Sequence, residues 1–163
     1  MIRNEREITI DAPRERVYAY LTDFARHPEW AEPKHHLRLQ PPSAVKVGAT
    51  FTSVGKDFGR DSHNRVTITE VVPNERLVFE ADQDDGTLWR NTYRLHDGPT
   101  GGTRLSKEVR SLRLPLAHRV LFTLLAPIVN AEAAGTYARD LQRIKTRIEG
   151  AAPATATATT ATR

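Results

Sequence analysis

A chain of 163 residues with 39% hydrophobic and 27% charged residues has the length of one domain and the balance of a globular protein, which argues against wholesale disorder and against an integral membrane protein. Without cysteine it forms no disulfide, thiolate nucleophile or cysteine-bound metal site, and a cytoplasmic setting is the expectation. The net charge of +4 is scattered among acidic residues, so no nucleic-acid surface is indicated.

Arg3 to Ile10 has the alternation and β-favouring residues of a first strand, closed by Asp11-Ala12-Pro13. Its charges at Arg3, Glu5, Arg6 and Glu7 stand where a signal peptide would be apolar, so no export is expected. Asp11 is expected to cap the helix that follows, Pro13 suits a first turn that needs no N–H, and Val17, Tyr18 and Leu21 form the apolar face. Thr22-Asp23 breaks that helix, and Phe24 to Trp30 reads as a second short helix or turn ending in His27-Pro28-Glu29-Trp30. Beyond Pro33 six more strands are expected: Leu37 to Gln40, Thr50 to Val54, Asp61 to Val72, Arg76 to Ala81, Leu88 to His96 and Arg104 to Leu112. Turn residues such as Pro41-Pro42, Gly48, Gly55, Gly59, Pro73-Asn74, Asp84-Asp85-Gly86 and Gly101-Gly102 join them, and connections this short make neighbouring strands antiparallel.

Leu112 to Val129 is apolar but carries Arg113, His118, Arg119 and two prolines, so it does not span a bilayer. It is either a helical lid that contacts lipid or a partner through Leu121, Phe122 and Leu125, or the start of the C-terminal helical region, kinked at Pro127 and packed on the sheet edge. A long last helix follows, with Ala134, Tyr137, Ala138, Leu141, Ile144, Lys145 and Ile148 at the helical period. Gly150 is a plausible stop, and the Ala/Thr run beyond it has no large apolar residue to offset the entropy of ordering. The expected organisation is one domain over 1–150 and a disordered tail over 151–163.

Ile8-Thr9-Ile10-Asp11-Ala12-Pro13 with Val17-Tyr18 and Leu21, then Asp23 and Pro28-Glu29-Trp30, resemble the opening of bacterial polyketide cyclase/dehydrase-like chains. Val66 to Val72 with Pro73, Arg76-Leu77, and Gly101-Gly102-Thr103-Arg104-Leu105 resemble that group's middle and late strands. The resemblance covers about residues 1 to 149 and extends to the wider helix-grip (SRPBCC, START-like) superfamily, which includes birch-pollen-allergen-like proteins. It implies an α+β helix-grip fold: a seven-stranded curved antiparallel sheet wrapped around a long C-terminal helix, with two short helices between strands 1 and 2. It also implies a cavity between sheet and helix that takes hydrophobic ligands, while a fold of this kind does not by itself name a reaction.

Strand alternation picks out the residues that face such a cavity. If Trp89 points inward, so do Asn91, Tyr93 and Leu95, leaving Arg90, Thr92 and Arg94 to water; the opposite phase would bury two arginines. The same phase puts Asn64, Val66 and Ile68, Leu77 and Phe79, and Leu105, Lys107 and Val109 inside. The expected ligand-binding set is Asn64, Val66, Ile68, Phe79, Trp89, Asn91, Tyr93 and Leu105, with Tyr137 and Leu141 from the last helix. Buried amides such as Asn64 and Asn91 must bond to the protein, to water or to a guest. Lys107 either reaches solvent with its stem packed, or is paired inside, and Glu70 is one conceivable partner. Asn91, Tyr93 and Lys107 are the candidate catalytic residues.

No H-E-x-x-H, H-x-x-E-H, G-x-S-x-G or P-loop spacing occurs, so no metal or cofactor is expected, and His63 beside Arg65 is read as solvated. Three functions remain open: a carrier or sensor of a hydrophobic lipid, polyketide or aromatic metabolite; an aromatase/cyclase or dehydratase using the same cavity; and a stress-response or chaperone-associated interaction module. The ligand and the oligomeric state are not readable from the sequence.

Overall fold

The computed structural model describes residues 2–31, 38–40, 44–57 and 60–151. Six strands of eight to thirteen residues make most of the sheet: β1 (Arg3–Ile10), β3 (Thr50–Asp57), β4 (Arg60–Val72), β5 (Arg76–Gln83), β6 (Leu88–Asp97) and β7 (Thr103–Arg113). Of the seven strands expected these six are full length, and the one expected over Leu37 to Gln40 is only the three-residue edge strand β2 (Arg38–Gln40). All pairs are antiparallel, in the order β1-β7-β6-β5-β4-β3-β2, so the first strand closes against the last and each other strand lies beside its chain neighbour.

Between β1 and β2 the chain forms α1 (Arg14–Thr22), a 3-10 turn over Phe24–Arg26 and the single-turn α2 (His27–Trp30), a more broken elbow than the two helices expected. Asp11 does not cap α1: Pro13 holds the cap position without a side-chain bond, and the Asp11 N–H instead donates to Glu149 Oε1 at 2.7 Å. Pro13, its φ fixed by the ring and its backbone extended, holds the position before the helix without help from a carboxylate. After β7 come α3 (Leu116–Leu124) and α4 (Ala126–Gly150), bent 91° apart at Leu125. Pro115 precedes α3 and Pro127 lies in the first turn of α4, where neither N–H is needed, so the chain breaks between the two helices one to two residues before the kink expected at Pro127. The proposed tail from 152 onward lies outside the described residues.

The inner face of the sheet and one stripe of α4 make the core. Ile10, Ile68, Leu77, Leu95, Leu105, Leu141 and Ile144 are all at most 1% exposed, and each buried aliphatic side chain contributes about 1.5–3 kcal/mol to folding. The phase predicted for β6 holds: Tyr93 and Leu95 are buried while Arg90 and Arg94 pair on the outer face with Glu80 and Glu108. Thr92, expected in water, is buried instead, in the outer-face row Val78–Thr92–Glu108 flanked by those two arginines. A register shift between Ile68 and Glu70 in β4 marks a bulge, and Glu70 pairs there with Arg76 at 2.7 Å. Gly102 immediately precedes β7, and a Cβ there would sit 2.7 Å from the Ile10 carbonyl oxygen, so only glycine lets the chain approach the end of β1 this closely.

Candidate functional site

Antiparallel register assembles the site row by row. Phe51, Val66 and Ala81 lie opposite one another on β3, β4 and β5, as do Ser53, Asn64 and Gln83. Phe79 faces Asn91, and Tyr93 faces Lys107 across β6 and β7. Above these rows pass α2 and the middle of α4. Between sheet and helices lies a hollow of about 220 Å³ whose walls include Phe51, Val66, Phe79, Tyr93, Lys107 and Tyr137. A second compartment of about 290 Å³ adjoins it, sharing Ala81, Gln83, Asn91 and Tyr137, and is bounded by Trp89, Val109, His118 and Phe122.

Six of the ten residues expected to meet a ligand line the first hollow: Asn64, Val66, Phe79, Asn91, Tyr93 and Tyr137. Trp89 lies on the wall of the second, half-buried, its indole N–H donating to Gln83 Oε1 at 2.9 Å. Ile68, Leu105 and Leu141 line neither. They are 0–1% exposed and packed wholly by the protein, so the alternation that placed them inward placed them in solid core. The Asn64 amide donates to the Ser62 carbonyl at 3.4 Å, whereas the Asn91 amide has no protein partner among the described residues.

The polar end of the hollow is built around Lys107. Its ammonium neither reaches solvent nor meets Glu70: it donates to Asp140 Oδ2 at 2.8 Å, with the two side chains 7% and 6% exposed. Three aromatic rings surround the nitrogen, Tyr137 at 4.8 Å and Trp30 and Tyr93 each at 5.7 Å. Burial pulls the Lys107 ammonium below the ordinary lysine value, but Tyr93 and the Asp140 carboxylate outweigh it and the net shift is upward. At neutral pH, where Tyr93 is an uncharged phenol, the Asp140 charge is what holds the proton on. Burial raises the Tyr93 phenol to about 12 against the pull of Lys107. The His27 ring, tilted against Trp30 at 4.1 Å, is lowered to about 3 by burial and then by the Lys107 charge, and is therefore neutral. The group thus offers a fixed cation and a neutral phenol, and its lysine is a hydrogen-bond donor and not a free-amine nucleophile.

His27, Trp30 and Asp140 were not among the expected site residues. Asp140 had a signal: it lies three residues after Tyr137 and four before Ile144, on the apolar stripe of the last helix, and an acid on that stripe asks for a buried base. His27 and Trp30 had none, since the elbow's position over the sheet is a tertiary fact.

At the open side of the second compartment, α3 turns Phe122 and His118 inward, and His118 Nδ1 lies 3.2 Å from Thr87 Oγ1. Phe122, expected to face lipid with Leu121 and Leu125, is therefore a wall residue. The outward aliphatics are Leu116 and Leu124 at 74% exposure, Val120 at 53%, and Leu121 and Leu125. At 100° per residue Leu116, Val120, Leu124 and Leu121 share an arc of roughly 140°. No single helix among the described residues is long and apolar enough to cross a membrane.

Residues 11–118, from the start of the α1 elbow into α3, match the family described as Activator of Hsp90 ATPase homolog 1-like protein. The chain belongs to that family. This places it in the helix-grip superfamily, and solved structures agree on the fold. A protein from Thermus thermophilus is 20% identical, with 93% of this chain and all of that one aligned at a TM-score of 0.70. The Aha1 dimer from Colwellia psychrerythraea is 17% identical over 91% of this chain and 97% of that one, at 0.60. DynU16, from the dynemicin biosynthetic locus, is 20% identical over 90% of this chain and 47% of that one, at 0.61. No curated protein sequence matches this chain. In this family member the matched stretch contains Tyr93 and Lys107 but stops before α4, so the Tyr137 and Asp140 half of the polar group lies outside it.

Proposed function

We propose that this protein binds a hydrophobic small molecule, a lipid, polyketide or aromatic metabolite, in the space between the sheet and α4. The observation that carries the reading is the pair of adjoining compartments, about 220 and 290 Å³, walled by Phe51, Val66, Phe79, Trp89, Phe122 and Tyr137. Apolar walls favour an apolar guest, and a ring system the size of naphthalene fits the first compartment alone. Native mass spectrometry of freshly purified protein, with solvent extraction of any adduct, is expected to yield a bound apolar compound. N-phenyl-1-naphthylamine, a neutral dye that brightens in apolar surroundings, is expected to bind one-to-one and to be displaced by such compounds. A protein that carries no guest and leaves the dye dark would overturn the reading.

A second reading, an aromatase/cyclase or dehydratase, is supported by the buried cross-strand pair Tyr93 and Lys107 on the wall of the hollow. A charged donor beside a neutral phenol is suited to polarising a carbonyl and passing a proton. Turnover of a candidate polyketide that survives both Tyr93→Phe and the loss of Lys107 would remove it. The outward aliphatic arc of α3 supports a peripheral contact with a membrane or partner beside the mouth of the second compartment.

A further inference from the structure

From the surroundings of the Lys107 ammonium we infer that the guest is a neutral carbonyl compound, a ketone, aldehyde or ester, whose oxygen accepts a hydrogen bond from Lys107 while its apolar body lies toward Phe79 and Val66. The inference rests on the hollow being a binding site and adds the chemical class of what enters it.

An ammonium has three N–H donors. Asp140 takes one at 2.8 Å, and around the rest of the nitrogen stand the rings of Trp30, Tyr93 and Tyr137. Ring faces attract the cation but accept no strong hydrogen bond, so a donor that remains at the wall of the hollow is matched by a ligand oxygen.

Charge decides which oxygen. On the wall of the hollow Lys107 is compensated by Asp140 and the neighbouring His27 is neutral, while Arg143, which reaches Asp140 Oδ1 at 3.8 Å from the other side, does not line the hollow, so the wall offers an acid no uncompensated cation. A carboxylate brought to Lys107 would also sit beside the Asp140 carboxylate, at less than a tenth of its surface exposed, where two like charges repel strongly. A hydrocarbon, at the other extreme, leaves the donor unmatched. A neutral carbonyl oxygen meets the donor and adds no charge. The remaining polar walls, Asn64, Asn91, Ser53 and Gln83, carry no charge either.

Three compounds of one skeleton test this: 2-acetylnaphthalene, 2-ethylnaphthalene and 2-naphthoate, each displacing N-phenyl-1-naphthylamine. A hydrogen bond from a charged donor predicts that the ketone competes about ten-fold more strongly than the ethyl compound, with the carboxylate weaker than the ketone. The bound ketone's carbonyl stretch, followed with a carbon-13 label, is expected at lower frequency than in ethanol. This measurement needs no variant. In Lys107→Met/Asp140→Leu, which removes both charges together, the ratio of ketone to ethyl affinity is expected to fall to about two-fold or less, against no such fall in Asn91→Leu. Equal competition by ketone and ethyl compound, a carboxylate that binds best, or a ratio that collapses in Asn91→Leu but survives in the double variant would each overturn the inference. Should the dye itself fail to bind, the hollow is not a binding site and both readings fall; should it bind without a ketone advantage, only this one does.

Discussion

Lys107 on β7 and Asp140 on α4 meet at 2.8 Å in the interior, joining the sheet to the last helix by a buried ion pair. Neither charge could be buried alone, since an unpaired ion in low dielectric costs several kcal/mol, so the pair ties the position of α4 to the inner face of the sheet.

That dependence gives the first prediction. Lys107→Met leaves the buried Asp140 with only the longer 3.8 Å contact to Arg143 and is expected to destabilise the protein by about 3 kcal/mol. Lys107→Met/Asp140→Leu replaces the pair with apolar groups and is expected to recover most of the loss. Urea denaturation of the wild type, single and double variants checks this; a double variant no more stable than the single one would show that the pair is not a coupled unit.

The pH dependence of stability has two limbs. His27 titrates at about 3 in the folded chain against 6.5 when free, so between those values the unfolded state binds a proton that the native state does not. Its contribution is whole above 6.5 and is lost as pH falls toward 3. Lys107 runs the other way. Its folded value lies above the ordinary 10.5, so its contribution is whole below 10.5 and is lost as pH rises through the raised value. Thermal melts from pH 4 to 11 are expected to show a shallower acid limb in His27→Gln and a shallower alkaline limb in Lys107→Met/Asp140→Leu.

Ala81 borders both compartments and stands opposite Val66 and Trp89 in the sheet. Ala81→Trp puts a large ring into open space, so it is expected to weaken N-phenyl-1-naphthylamine binding ten-fold or more while changing stability by less than about 1.5 kcal/mol. Dye titration alongside a denaturation curve separates the two effects, and unchanged dye affinity would place the binding site elsewhere.

On α3, Leu116→Glu/Leu124→Glu alters two side chains that are 74% exposed, a change expected to stay within about 1 kcal/mol of the parent in stability. If this face meets a membrane, co-sedimentation with vesicles of mixed neutral and anionic lipid is expected for the parent and lost in the variant, with dye binding retained by both. If it instead covers a second copy, light scattering will show the parent's mass halved by the same substitutions.

Much of the fold was legible because its signals are local. Period-two alternation marked β6, where Trp89, Asn91, Tyr93 and Leu95 do share the inner side, and Arg90 and Arg94 the outer. Turn residues set the antiparallel order, and the spacing of Tyr137, Leu141, Ile144 and Ile148 marked the buried stripe of α4. Alternation reports a face and not a depth, however. Ile68 and Leu105 point the same way as Val66 and Lys107, yet they are solid core while the latter line open space.

What the chain's sequence determined by itself was therefore the succession of strands and helices and the side of the fourth to seventh strands that turns inward, because these follow from steric periods of two and 3.6 residues, while the helix-grip arrangement followed from the family resemblance. The tertiary structure alone decided that Lys107 would find Asp140 and not Glu70, that Trp30 and His27 would close over them, and that α3 would turn Phe122 in and Leu116 out. Those outcomes depend on how α2, α3 and α4 cross the curved sheet, a geometry set by packing between residues far apart in the chain, which no local period encodes.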